Sequence, residues 1–120
     1  MGQYINVMKD SLKKFIDYCN SDEELEYFIR INADWNEESF IKMEQLVRKV
    51  MEDYEQDVFY HKGFVCYCTH GIDRIIGIIS NEAFYRGVLP YGFTKESYKS
   101  YIACRIEKLR NIQSDFFRSL

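Results

Sequence analysis

Proline occurs once in 120 residues, at Pro90, and glycine six times. Linkers and coil-rich segments use far more of both, so no stretch reads as a flexible connection between domains. Residues 1–120 are expected to form a single domain. The longest mainly apolar run, 72–79, is interrupted by Asp73 and Arg74 and is far too short to cross a bilayer. The opening MGQYINVMKDSL has no basic segment followed by an apolar one, and Asn6 stands where a myristoylation signal carries Ser or Thr. A cytoplasmic protein without a membrane partner is expected. There is no glycine-rich phosphate loop, dinucleotide fingerprint or HExxH helix, and no internal repeat. Four cysteines, at 19, 66, 68 and 104, sit outside any small loop-rich secreted pattern, so reduced thiols are expected.

Aromatic residues are abundant. Ten tyrosines and nine phenylalanines help bring aromatics to 17% of the chain, and apolar residues make up 47%. That suffices for a packed core without disulfide or metal support. Net charge is −3, unevenly spread. Residues 1–57 hold seven Lys/Arg and fourteen Asp/Glu, residues 58–85 two of each, and residues 86–120 seven and three. An acidic first half and a basic last third can attract each other inside one fold, or face different partners.

Apolar spacing of three and four residues predicts a mainly α protein, a compact bundle of five to six helices. A first helix is expected over 3–19, with Ile5, Met8, Leu12, Phe15, Ile16 and Cys19 on its inner face. Ser21 with Glu24 reads as a capping box opening a second helix over 22–31. Asp34 or Asn36 caps a third, with Trp35, the only tryptophan, placed as a staple onto its first turns. Over 64–69, FVCYCT, a short strand and a short buried helix fit equally well, because six residues cannot fix a period. Ile72, Ile75, Ile76 and Ile79 then share a helical face, with Ser80 as a cap for the helical turn after it. VLPYGF marks a turn, and Thr94 caps a long last helix with Tyr98, Ile102, Leu109, Ile112 and Phe116 inward, helped by Tyr101, Ile106 and Phe117.

The third helix carries the main functional signal. Phe40, Met43, Val47, Val50, Met51, Tyr54 and Val58 make its inner face, and Glu38–Lys42, Glu44–Arg48 and Lys49–Asp53 balance its outer one. Glu52, Asp53, Glu55 and Asp57 crowd its end, where the helix dipole favours cations. Residues that break a local rule often serve function. With Phe59 and Tyr60 alongside, the cluster suits a cationic protein partner, its charges steering association and its aromatics supplying buried contact. A helix ending near Tyr54, or neutralisation by basic residues of the last helix, would account for the same cluster without a partner.

Chemistry is sparse. His61, Cys66, Cys68 and His70 offer zinc-type ligands within ten residues, but without the C-x2-C spacing of structural zinc sites, so no metal or other cofactor is expected. Nothing around Cys68 and His70 matches a nucleophile with base and orienter, so no enzymatic activity is expected. The last helix sets Lys95, Lys99, Arg105, Lys108, Arg110 and Arg118 among aromatics. That leaves a small regulatory nucleic-acid-binding protein as the alternative function, although the acidic balance opposes it.

A small, acidic, tyrosine-rich, single-domain helical chain without catalytic motifs resembles the immunity proteins of bacterial contact-dependent growth-inhibition and polymorphic-toxin systems. The resemblance covers the whole chain in size and composition and rests on no diagnostic motif. It implies stoichiometric neutralisation of a cognate toxin domain, a cationic nuclease, with no direct contact to nucleic acid. Glu52, Asp53, Glu55, Asp57, Phe59 and Tyr60 are the candidate contact residues.

Overall fold

The computed structural model of the protein describes residues 8–120. It is a helical bundle: α1 (Asp10–Cys19), α2 (Leu25–Asn32), α3 (Glu37–Asp53), α4 (Lys62–Cys66), a π-helical turn (Tyr67–Gly71), α5 (Ile72–Ser80), a 3-10 turn (Glu82–Tyr85) and α6 (Lys95–Arg118). No strand occurs among the described residues, and 64–69 is helical. No helix among them is long and apolar enough to cross a membrane.

The 64–69 stretch, open between strand and helix from sequence, follows helical spacing once joined to its neighbours. Phe64, Cys68, Ile72, Ile75, Ile76 and Ile79 form one buried face running through α4, the π turn and α5. Gly71 does not break the run. Its φ of −63° is helical, and a Cβ there would stand 3.3 Å from the Tyr67 ring. Gln113 of α6 is buried against the widened turn, and its amide donates to the carbonyls of Cys68 (3.3 Å) and Thr69 (3.2 Å) and to Asp73 Oδ1 (2.9 Å). A π turn disturbs the regular i→i+4 ladder, so this outside donor is what the altered carbonyls call for.

Capping residues set the helix starts; two differ from the sequence reading, and a third settles a choice it left open. Ser21 Oγ donates back to the Tyr18 carbonyl, and Glu24 is itself the cap of α2, accepting from Glu26 N (2.8 Å) and Tyr27 N (2.9 Å). The helix therefore opens at Leu25 instead of Asp22. Glu24 is 8% exposed and also accepts from Tyr67 Oη at 2.9 Å, so three donors and the helix dipole hold its charge. Asn36, not Asp34, caps α3 through Ser39 N. Asn81, not Ser80, caps the 3-10 turn. Thr94 caps α6 as expected, in a reciprocal box with Ser97. Trp35 packs on Phe40 at 5.4 Å, one residue before the cap and four after it, which is staple geometry. At the start of the chain, α1 begins at Asp10, later than expected; residues 3–7 of the expected first helix, Ile5 included, lie outside the described residues.

One core runs through the bundle. α1 packs on α3, α5 lies between α2 and α6, and α3 reaches both α2 and α6. At its centre the Phe15 ring meets Phe64 (5.2 Å) and Tyr67 (5.3 Å) edge to face, and Phe64 meets Phe116 (5.7 Å). Two residues of the predicted inner faces are not core: Val58 is 86% exposed and Phe117 53%. Val58 lies beyond the end of α3, and Phe117 follows buried Phe116 by about 100° around the helix.

Candidate functional site

α3 stops at Asp53, and Tyr54 is its C-cap. Only Glu52 and Asp53 therefore occupy the last helical turn; Glu55 and Asp57 belong to the turn beyond, which Asp57 N closes onto the Tyr54 carbonyl. The conflict with the helix dipole is half of what the sequence implies. Two lysines reduce it further. Lys49 Nζ lies 3.1 Å from Glu52 and 3.2 Å from Asp53, and both carboxylates raise its pKa. Lys9 arrives from outside α3. Its ammonium donates to the Asp53 carbonyl (2.5 Å) and Asp57 Oδ1 (3.2 Å) and lies over the Tyr54 ring, while its backbone N–H donates to Tyr54 Oη (2.9 Å). A cation thus sits at the helix C-terminus after all, supplied from residue 9 and not from α6.

Asp53 is accordingly held below the usual carboxylate range, first by the Ser11 hydroxyl and then by Lys49 and Lys9. Ser11 Oγ is buried without a direct hydrogen-bond partner among the described residues, so its effect on Asp53 is that of a nearby dipole. Four carboxylates against two ammonium groups leave this cluster with a charge of −2. Glu52 is 70% exposed, and Glu55 makes no ion pair among the described residues.

The aromatic turn divides. Phe59 is 83% exposed, beside Val58. Tyr60 is partly buried: its ring packs at a tilt on Phe64 (5.4 Å) and Phe116 (5.5 Å), and its hydroxyl donates to Ser119 Oγ (2.9 Å). Tyr60 thereby fixes the turn against the end of α6. That contact brings two further exposed apolar residues to the same end, Phe117 and Leu120 (73% exposed), which sequence reasoning missed. The signal was present in the Phe116–Phe117 pair, since Phe117 lies about 100° around the helix from the Phe116 position that continues the inner stripe. Arg48 ties α3 to α6 nearby, 3.1 Å from Glu44 and 2.8 Å from Asp115.

The zinc-type residues do not converge. A strand would set both thiols of Cys66 and Cys68 on one side; the helix sends Cys66 outward and buries Cys68 completely. Burial pushes the Cys68 thiol up to about 12. His61 Nδ1 accepts from Gly63 N at 3.1 Å as the cap of α4, and His70 is exposed. No group of three metal-ligating side chains forms among the described residues.

Nor does α6 present a bare cationic stripe. Lys95 and Lys99 pair with Glu82 (2.8 and 2.7 Å), Arg105 with Glu37 (2.6 Å), Arg110 with Asp73 (3.0 Å) and Arg118 with Asp115. Of the six basic residues named from sequence, Lys108 alone makes no ion pair among the described residues. The basic end of the chain is largely matched within its own fold, which weakens a phosphate-tracking role.

At the other end of α3, Arg105, Trp35 and Glu37 form a second polar cluster. Both carboxylate oxygens of Glu37 accept from Arg105, and Oε1 also takes the Trp35 indole N–H at 2.8 Å. The Arg105 hydrogen bond is the main reason that the Glu37 carboxyl is held low. No protein-family model, curated protein or solved structure matches the chain.

Proposed function

We propose that this chain is an immunity-type binding protein that neutralises a cationic toxin domain, a nuclease, by stoichiometric contact and without chemistry of its own. The observation that carries the reading is the pairing of an uncompensated negative end with exposed apolar surface. Val58 and Phe59 stand out almost fully, directly after the Glu52, Glu55 and Asp57 segment, and Phe117 and Leu120 lie at the same end. Exposed aromatic and aliphatic side chains next to a cluster of like charge suit a partner with a basic surface and an apolar recess. The charges would accelerate encounter, and Phe59 would supply the anchor. The internal pairing of the α6 cations favours this reading over direct nucleic-acid binding.

The test is inhibition of a candidate nuclease toxin domain, sought among the genes neighbouring this one, measured as nuclease activity against added protein. Equimolar wild type is expected to abolish cleavage. Phe59→Ala is expected to weaken inhibition by at least about tenfold, as the loss of an interface anchor does. Glu55→Lys is expected to slow association, an effect that grows at low salt. Full inhibition by the folded Phe59→Ala, Glu55→Lys double variant would remove the interface from this end. No inhibition by wild type would remove the function.

A further inference from the structure

A second surface feature lies at the opposite end of α3 from the acidic turn, about 25 Å away along 17 residues. Trp35, Phe93, Tyr98 and Tyr101, with the carboxylates of Asp34 and Glu37, line a cavity of about 160 Å³. Its aromatic walls brace one another: Phe93 lies 5.1 Å from Tyr98 and 5.3 Å from Tyr101, and Tyr98 and Tyr101 stack at 6.3 Å. Three segments distant in sequence build it, namely the corner before α3, the loop before α6 and the first turns of α6.

The electrostatics of the cavity are one-sided. Glu37 is spent on Arg105, whose guanidinium also lies 4.0 Å over the Tyr101 ring. Asp34 is not spent. Its Oδ1 accepts from Trp35 N (2.8 Å) and Tyr98 Oη (2.8 Å), its other oxygen accepts nothing among the described residues, and it makes no ion pair among them. The two hydrogen bonds fix the carboxylate beside the rings but leave its charge in place. Two carboxylates and one guanidinium give the cavity a net charge of −1. Trp35 and Tyr98 are nearly buried and form the floor, so the partly exposed Phe93 and Tyr101 rings are the ones open to a ligand. Aromatic surface joined to one unpaired, positioned carboxylate is what a weakly hydrated organic cation prefers. Arg105 on Tyr101 already shows such a contact within the fold.

We infer that this cavity is a binding site for an alkylammonium group, the side chain of a lysine on a polypeptide partner. A tethered cation fits better than a free one because of the rim. Val88 and Tyr91, in the same loop as Pro90 and Phe93, are fully exposed and would contact the residues flanking the lysine. A small free ion would leave both uncovered. The site is separate from the acidic turn, so its failure and the failure of the toxin interface are independent results.

Trp35 is the only tryptophan in the chain, so its fluorescence reports this cavity alone. The full chain is titrated with Nα-acetyl-lysine N-methylamide, with Nα-acetyl-norleucine N-methylamide as the uncharged counterpart and tetramethylammonium as the free cation. A saturable change is expected with the lysine compound and none with the norleucine compound. Asp34→Asn keeps an acceptor for Trp35 and Tyr98 while removing the charge, and is expected to weaken lysine binding about tenfold; Phe93→Ala is expected to weaken it similarly. No saturable change with the lysine compound, an equal response to norleucine, or unchanged affinity in folded Asp34→Asn would each overturn the site. Tetramethylammonium binding as tightly as the lysine compound would overturn the choice of a side chain over a free ion.

Discussion

Replacing Gln113 with methionine tests whether the π turn is held by one side chain of α6. The two residues are close in length and unbranched, so packing changes little. Gln113 is 6% exposed, and its amide nitrogen serves the Cys68 and Thr69 carbonyls and Asp73. Methionine serves none of them. The Thr69 carbonyl retains the Ile72 N–H, and Asp73 is exposed, so those two losses are small. The buried Cys68 carbonyl is the expensive one, at about 1–3 kcal/mol for a buried acceptor left unmade. A destabilisation of about 2 kcal/mol is expected. With an unfolding entropy of about 0.25 kcal/mol/K for a chain of this length, the melting temperature should fall by about 8 °C. Circular dichroism during heating and urea titration should agree, with a lower urea midpoint and an unchanged slope. Gln113→Glu should be worse at neutral pH, since a carboxylate would then face two carbonyls and Asp73. It should recover as pH falls and that carboxyl takes up a proton, because its folded pKa would be raised above its unfolded one. A methionine variant melting within about 2 °C of wild type, or a glutamate variant without acid recovery, would refute the role assigned to Gln113.

Two glycines should respond in opposite directions to alanine. Gly77 lies exposed within α5 and Gly92 has φ of 87° in the turn closed by Phe93 N onto Pro90 O, and a Cβ at either meets nothing within 4 Å. Gly77→Ala should stabilise by about 1 kcal/mol and Gly92→Ala destabilise by about the same, read from urea midpoints; equal signs would show that backbone conformation does not decide. A thiol reagent should label Cys66 and Cys104 rapidly, being exposed, and reach Cys19 and Cys68 only on unfolding, because burial pushes both thiols up to about 12; a third fast equivalent in the native protein contradicts this. The same raised thiols contribute stability that is intact below about pH 9 and lost as pH climbs towards 12. On the acid side, Glu37, Asp73 and Asp115 have lowered folded pKa values, chiefly through hydrogen bonds from Arg105, Gln113 and Arg48 respectively. Their contribution is intact above the ordinary carboxyl range near pH 4 and is lost as pH falls through the lowered values, so Glu37→Gln should flatten that loss in an acid titration followed by circular dichroism; an unchanged acid limb would argue against the Arg105 pair.

Much of the fold was legible in the residues. The inner faces of α1, α3, α5 and α6 follow a 3.6-residue period because each of those helices buries one stripe and wets the other. Thr94 and Trp35 were readable because a cap and a staple are local geometry, complete within five residues. Other local readings stayed open or went astray where two equivalent residues stood close together. Ser21 against Glu24, Asp34 against Asn36 and Ser80 against Asn81 are choices that neighbouring side chains make, Tyr67 deciding the first and Tyr98 the second by the bonds they form. The ion pair read as Glu38–Lys42 became Lys42–Glu23 for the same reason, since a longer reach across the bundle was available at 2.8 Å.

What the sequence determined by itself is therefore the helical class, the core stripes and the presence of an acidic end to α3, all consequences of periodicity and local charge. What only the tertiary structure decided is how those charges are met. Lys9 reaches across 44 positions to cap α3, five of the six named basic residues of the last helix find acidic partners, and Gln113 satisfies carbonyls 45 and 44 positions away. The Asp34 cavity likewise exists only because the corner before α3 and the loop before α6 meet. Electrostatic and hydrogen-bond partners are chosen by proximity in space, and a chain read in order carries no record of which distant side chain will arrive.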